Sequence, residues 1–174
     1  EGPIVKGRSS YLINYRYSFL GVLNAMKLYV QAPNAENVFQ DLSFNLSFVS
    51  KDNRDELKIF GVGGLSNELW KIRDTSDWKT TWDYTGEVSG SHMGVLGASY
   101  RRLIDDKSYI RITAGAVYNY LFDTEFTPDF SDKTNESKYD TTEINDYHLI
   151  RSQLHITYSN KLHKRFRLKT GLSG

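Results

Sequence analysis

Between Phe39 and Phe48 large apolar residues fall on every second position: Leu42, Phe44, Leu46 and Phe48 alternate with Ser43, Asn45 and Ser47. A two-residue period puts successive side chains on opposite faces of a strand. A polar turn at Ser50 to Asp55 reverses the chain, and Leu57 to Leu65 returns rich in β-branched and aromatic residues, completing a hairpin over Phe39 to Ser66. Facing is ambiguous on this return arm, because Leu57, Ile59 and Leu65 oppose Phe60 and Val62 and the glycines at 61, 63 and 64 leave gaps on both sides.

The same alternation predicts five further strands. Ser10 to Phe19 sets Tyr11, Ile13, Tyr15, Tyr17 and Phe19 against Leu12, Asn14, Arg16 and Ser18. Met93 to Leu103 sets Leu96, Ala98 and Tyr100 against Gly97, Ser99 and Arg101. After a tight turn at Asp105 to Lys107, Tyr109 to Tyr120 places Ile110, Ile112, Ala114, Ala116, Tyr118 and Tyr120 opposite Arg111, Thr113 and Asn119. Tyr147 to Ser159 separates Ile150, Leu154, Ile156 and Tyr158 from Arg151, Gln153, His155 and Thr157, and Phe166 to Leu172 closes the series with Phe166, Leu168 and Leu172 against Arg167 and Lys169.

Seven antiparallel strands result, and their connections alternate. Leu20 to Val38 (with a short helix expected over Gly21 to Tyr29), Asn67 to Ser91 and Leu121 to Asn145 are long, about 20 to 25 residues, and the turns between them are short. Uncovered loops of that length are uncommon in compact soluble domains, whereas an outer-membrane barrel carries long loops at one end only. The reading is therefore an all-β, antiparallel transmembrane β-barrel meander, with Ile13, Phe44, Leu46, Ile112, Leu154 and Leu168 toward lipid. Two aromatic girdles are expected, Phe48, Tyr100, Tyr109, Tyr158 and Phe166 by the short turns and Phe19, Phe39, Tyr118 and Tyr147 by the long connections. A soluble antiparallel sheet whose apolar face is core is the competing reading; it leaves the loop lengths unexplained.

Composition changes this picture little. Mean hydropathy is −0.52, which a membrane barrel tolerates because only alternate strand residues need be apolar. Aromatics make up 14% of 174 residues, which fits interfacial girdles and equally any β-rich protein. Lys and Arg number 22 against 21 Asp and Glu, with no basic stripe, so nucleic acid is not an expected partner. There is no cysteine, hence no disulfide framework or thiolate zinc site. The opening residues, EGPIVKGRSS, lack the basic and apolar regions of a signal peptide. Gly90-Ser91-His92-Met93 resembles a tag scar but runs into a strand and is read as native.

Three stretches carry a family resemblance. EGP-x-x-x-G…SYLINYRYSFLGVL (Glu1 to Leu23), FQDLSFNLSF with IFGVGGLS (Phe39 to Ser66), and SGSHMGVLGASY (Ser89 to Tyr100) resemble the early barrel of Bacteroidetes TonB-dependent outer membrane receptors with a carboxypeptidase-like regulatory domain. The likeness covers about the first hundred residues and beyond them is generic barrel pattern. It implies a plugged barrel of about 22 strands that uses TonB to import a large or scarce solute. TonB box, regulatory domain and plug are missing from residues 1–174, and Gly171 to Gly174 differ from the aromatic-ended last strand of that family, so the expectation is a partial barrel wall in a Gram-negative cell outer membrane. Its expected partners are outer-membrane lipid, TonB through another part of the protein, and a lipoprotein or other outer-membrane subunit. The alternatives are a receptor-like barrel acting as a structural subunit, or a small porin-like or adhesion barrel.

Candidate chemistry is sparse, and neither an enzyme nor a cofactor is suggested. His92, His148, His155 and His163 lack zinc-ligand spacing, and His148 and His155 fall on opposite faces of one strand. Gly61-Val62-Gly63-Gly64 lacks the third glycine and following helix of a dinucleotide site, and no serine sits in a nucleophile elbow. Asp123, Glu125, Asp129, Asp132, Glu136, Asp140, Glu143 and Asp146 crowd one connection without the regular spacing of a calcium loop. Asp140-Thr141-Thr142 resembles the short Bacteroidetes O-glycosylation signal, which would place a sugar on Thr141. Trp70, Trp78, Trp82 and Tyr84 share the second long connection and are the candidate ligand contacts, since such rings offer flat apolar area with a polar handle.

Overall fold

The alternation around Phe44 becomes a ladder without interruption: Ala35–Val49 pairs with Asp55–Trp70 from Ala35↔Trp70 to Val49↔Glu56. Its turn is closed by the Ser50 N–H donating to the Asp55 carbonyl (2.9 Å) and by the Asp52 carboxylate accepting from the Arg54 N–H (3.2 Å). Asn53 takes the left-handed conformation there (φ 57°), which asparagine tolerates better than most residues. The computed structural model describes residues 1–18, 20, 23, 26, 28, 34–129, 139–163 and 165–174.

Eight strands follow one another in the sheet in chain order: β1 Gly2–Val5, β2 Ser9–Tyr17, β3 Ala35–Val49, β4 Asp55–Trp70, β5 Gly86–Leu103, β6 Ser108–Pro128, β7 Tyr139–His163 and β8 Phe166–Ser173. All neighbours are antiparallel, and β1 and β8 are open edges, so the sheet is a meander that does not close. Seven of these strands answer to the seven expected; β1, with its proline and four residues, adds an eighth that alternation does not reveal. Short turns lie at one end of the sheet and long connections at the other.

The strands run further than expected. β6 and β7 extend through most of Leu121 to Asn145, and β4 and β5 through much of Asn67 to Ser91, so the connections shrink to 71–85 and 129–138. Polar residues there are paired strand rather than loop: Leu121↔Tyr147, Asp123↔Asn145 and Glu125↔Glu143 continue the ladder below them. The 25 residues of β7 span about 80 Å at strand rise. The helix expected over Gly21 to Tyr29 and the aromatic Phe19 fall largely outside the described residues.

Register settles the facing. One row across the sheet reads Ile13, Phe44, Gly61, Leu96, Ala116 and Ser152, and the next reads Tyr11, Leu46, Ile59, Ala98, Ala114 and Leu154. On the opposite face the corresponding rows are Asn14, Ser43, Val62, Val95, Val117 and Arg151, and Lys58, Ser99, Thr113 and His155. Hence Leu57, Ile59 and Leu65 belong to the apolar face and Phe60 and Val62 to the polar one. The expected girdles are corrected by the same register. Phe48, Tyr100, Tyr118 and Tyr158 are on the apolar face, but Phe39, Tyr109 and Tyr147 are on the polar face. They sit an odd number of residues from the apolar positions of their strands, which nearness to a loop does not reveal.

The apolar face is uncovered. Ala35 is the one buried hydrophobic residue among those described, while Ile13, Leu96 and Ile150 are 58%, 58% and 77% exposed. Among the described residues no second layer packs on it, so they form no dry core. What packing exists is lateral: the Phe44 ring lies over Gly61 and the Phe60 ring over Gly97, where a Cβ would come within 2.5 Å of each ring. Among the described residues no helix is long and apolar enough to cross a membrane.

Candidate functional site

The connection 71–85 is built around a buried carboxylate. Asp83 Oδ2 accepts from the Lys79 N–H (2.9 Å), the Thr80 N–H (2.8 Å) and the Thr80 hydroxyl (3.0 Å), and Oδ1 faces Arg73 Nη1 at 3.1 Å. Thr80 and Asp83 form a capping box for the 3-10 turn Thr81–Asp83, and a second such turn spans Thr75–Asp77. The backbone N–H groups of Lys79 and Thr80, then the Thr80 hydroxyl and Arg73, hold the Asp83 carboxyl below its ordinary value. The signature Thr80-x-x-Asp83 was present in the sequence, but the capping role became visible only with the turn in place.

The four candidate aromatics do not form one cluster. Trp78 donates its indole N–H to the Arg73 carbonyl (2.9 Å) and its ring meets Tyr84 at 5.4 Å and 55°, so this pair braces the connection. Trp70 ends β4 on the polar face and donates to Glu68 Oε1 at 2.8 Å. Trp82, on the turn that Asp83 clamps, is 79% exposed. Of the four, Trp82 alone is presented outward on a preorganised support.

Thr141 is exposed and lies opposite Phe126, where the β6–β7 register shifts by one residue. The acidic stretch expected as a loop is divided: Asp123, Glu125 and Glu143 stand on the polar face of paired strands and Asp146 on the apolar face, while Asp132 and Glu136 lie outside the described residues. No group of three or more acidic, histidine or cysteine side chains among the described residues could hold a metal ion.

Alternation did not reveal a second grouping, on the apolar face beside the long connections. His92, Tyr120 and His148 fall in one row with Tyr17, Gln40 and Leu65. Tyr120 stacks on His148 at 4.2 Å, His92 meets Tyr120 edge-on at 5.5 Å, and the Tyr120 hydroxyl donates to Asp146 Oδ1 at 3.0 Å. Below them, facing Gly63 and Gly94 leave an open apolar depression of about 600 Å³, bounded by Tyr15, Leu42, Tyr118 and Ile150.

No protein-family model, no curated protein and no solved structure matches the chain. The fold that sequence and structure define together is an all-β, open antiparallel meander of the kind that forms a barrel wall.

Proposed function

We propose that this sheet is part of the wall of a Gram-negative outer-membrane barrel, and that the barrel belongs to a TonB-dependent receptor importing a large or scarce solute. One observation carries the membrane reading: an apolar face, rows wide, with no second layer against it among the described residues, behind a face that holds the Ser, Asn, Lys and Arg side chains together with a few valines. In water such a face would be left wet at a cost that grows with its area, whereas lipid solvates it. Its height fits. From Ile110 to Tyr120 the face is apolar over ten steps of about 3.4 Å, about 34 Å along the strand, and at a 45° tilt about 24 Å across the membrane. The row with His92, Tyr120 and His148 then forms the outer girdle, Phe48, Tyr100 and Tyr158 the inner one, and the long connections are extracellular. Acyl chains fill the depression over Gly63 and Gly94. The edges β1 and β8 need strand partners, since unpaired backbone is not tolerated in lipid.

The transport assignment rests on the resemblance of Glu1 to Leu23, Phe39 to Ser66 and Ser89 to Tyr100. Solute contact from this sheet falls to Trp82 and the upper polar face, with Trp70, Trp78 and Tyr84 as support. Deleting the gene and depleting TonB should give the same growth defect on the limiting solute, singly and together. If the phenotype of the gene survives TonB depletion, the protein is instead a receptor-like structural subunit of an outer-membrane complex.

A further inference from the structure

Glycines of the apolar face are of two kinds. Gly61, Gly86 and Gly90 lie under the rings of Phe44, Phe126 and Phe122, where an added Cβ would come within 2.5 Å of each ring. Gly63 and Gly94 pair directly with each other, and no side chain covers either. An added Cβ would meet only backbone at Gly63 and nothing within 4 Å at Gly94. Two missing side chains side by side make the depression of about 600 Å³ between Leu42 and Tyr118. Its lining lacks the contacts that the phenylalanine rings supply elsewhere on the sheet, so an apolar group from outside gains them on entry.

The rows on the long-connection side of this depression carry spare hydrogen-bonding groups. The first reads Gln40, Leu65, His92, Tyr120, His148, and the second Val38, Asn67, Gly90, Phe122, Asp146. The Tyr15 hydroxyl donates to Gln40 Oε1 at 2.8 Å, and the His92 Nε2–H donates to Asn67 Oδ1 at 3.3 Å. Both amide nitrogens therefore stay available among the described residues. Asp146 accepts the Tyr120 hydroxyl through Oδ1 and keeps Oδ2 for another donor. Neither row holds a lysine or arginine, and Lys71, further out, is paired with Glu36.

We infer that this is a glycolipid site, with one acyl chain in the depression over Gly63 and Gly94 and an uncharged sugar headgroup on the rows beside it. The ligand is an amphiphile because the apolar floor and the hydrogen-bonding rim are adjacent rows of one face, about 7 Å apart along the strand. A phosphate headgroup would lack a cation here and would meet the Asp146 carboxylate. A sugar matches the rim. Its hydroxyls accept from the Gln40 and Asn67 amides and donate to Asp146, while its C–H face lies against the Tyr120 and Phe122 rings, which meet at 5.4 Å. The inference rests on the lipid-facing reading and deepens it, since a face merely solvated by lipid has no headgroup preference.

The intact protein, reconstituted in vesicles of phosphatidylethanolamine and phosphatidylglycerol, tests it. Two photoactivatable lipids with the same diazirine-bearing acyl chain, a glucosyldiacylglycerol and a phosphatidylglycerol, are added separately as minor components, and labelled residues are located by mass spectrometry. The glucosyl lipid should label Leu42 and Tyr118 about tenfold more than the phosphatidylglycerol does, while Ile112, outside the depression, labels equally with both. Gly94→Leu, which fills the depression, should abolish the excess. Gln40→Ala with Asn67→Ala should keep acyl labelling at Leu42 and Tyr118 but bring the two lipids level. If Gly94→Leu does not fold, Gly94→Ala should still lower the excess severalfold. Equal labelling by the two lipids, a preference for phosphatidylglycerol, or an excess indifferent to these variants overturns the inference and, with Ile112 labelled, leaves the lipid-facing wall standing. Failure of both lipids to label Ile112 sinks the wall reading and the site with it.

Discussion

Two glycines on the apolar face should respond oppositely to the same methyl group. At Gly61 an added Cβ would lie 2.5 Å and 2.8 Å from Phe44 Cε1 and Cζ and 3.1 Å from the Val95 carbonyl. The ring can swing, but the carbonyl belongs to the β4–β5 ladder and cannot retreat without breaking Val62↔Val95 pairing. At Gly94, one strand away, nothing lies within 4 Å. Neither glycine has positive φ, so alanine suits both backbones. Gly94→Ala should then stabilise by about 0.4–1 kcal/mol through the unfolded chain alone. Gly61→Ala gains the same term and loses about 1–3 kcal/mol to overpacking, so the two variants should differ by about 1–3 kcal/mol in guanidinium unfolding of the intact protein. Phe44→Leu in the Gly61→Ala background should recover much of the loss, appearing as coupling in a double-mutant cycle. Equal stability of the two alanine variants, or no coupling to Phe44, would refute ring-over-glycine packing as the lateral fit between β3 and β4.

Three further outcomes are expected. Ala114→Arg, on the apolar face at mid-band, should cost about 2–4 kcal/mol while Thr113→Arg on the polar face is mild, read as heat-resistant migration of the folded barrel. The Asp83 carboxyl has a folded pKa below its unfolded 3.8, so its contribution to the connection is full above about 3.8 and is lost as pH falls through the lower folded value; protease cutting within 71–85 should rise only in that acid range, and Asp83→Asn should cut readily at neutral pH too. Trp82→Ala should weaken solute uptake or binding without raising protease sensitivity, whereas Trp78→Ala should loosen the connection by removing both its bond to Arg73 and its contact with Tyr84. The reverse pattern would make Trp82 a brace and Trp78 the contact.

Strand identity and facing were legible because period-2 alternation is a local signal: Tyr11 to Tyr17, Leu42 to Phe48 and Ile110 to Tyr120 each declare a face unaided. β4 did not, since its glycines leave Leu57 and Phe60 equally plausible as the apolar side; pairing with β3 decides, because Phe44 must face Gly61. Strand ends are not legible in the sequence, because polar residues such as Asp123 and Glu125 carry a loop's composition while their ladder bonds are supplied by the neighbouring strand regardless of side chain. Of the candidate site, the aromatic positions were visible and their division was not. Exposure of Trp82 follows from the Asp83 clamp, a contact among residues whose hydrogen bonds exist only once the turn is formed.

Residues 1–174 contain no cysteine, so single substitutions can label β6 residue by residue from Ile110 to Tyr120 without background from this stretch. Nitroxides at these positions in the membrane-inserted protein, relaxed in turn by lipid-soluble oxygen and by a water-soluble nickel chelate, test the central claim most directly. Oxygen accessibility should peak at 110, 112, 114, 116, 118 and 120 and fall at the odd positions between, with the even-position signal deepest near 114 and shallower toward both ends. An even-numbered face that is closed to both reagents would mean a dry protein core, and one open to the chelate would mean water; either contradicts a lipid-facing wall.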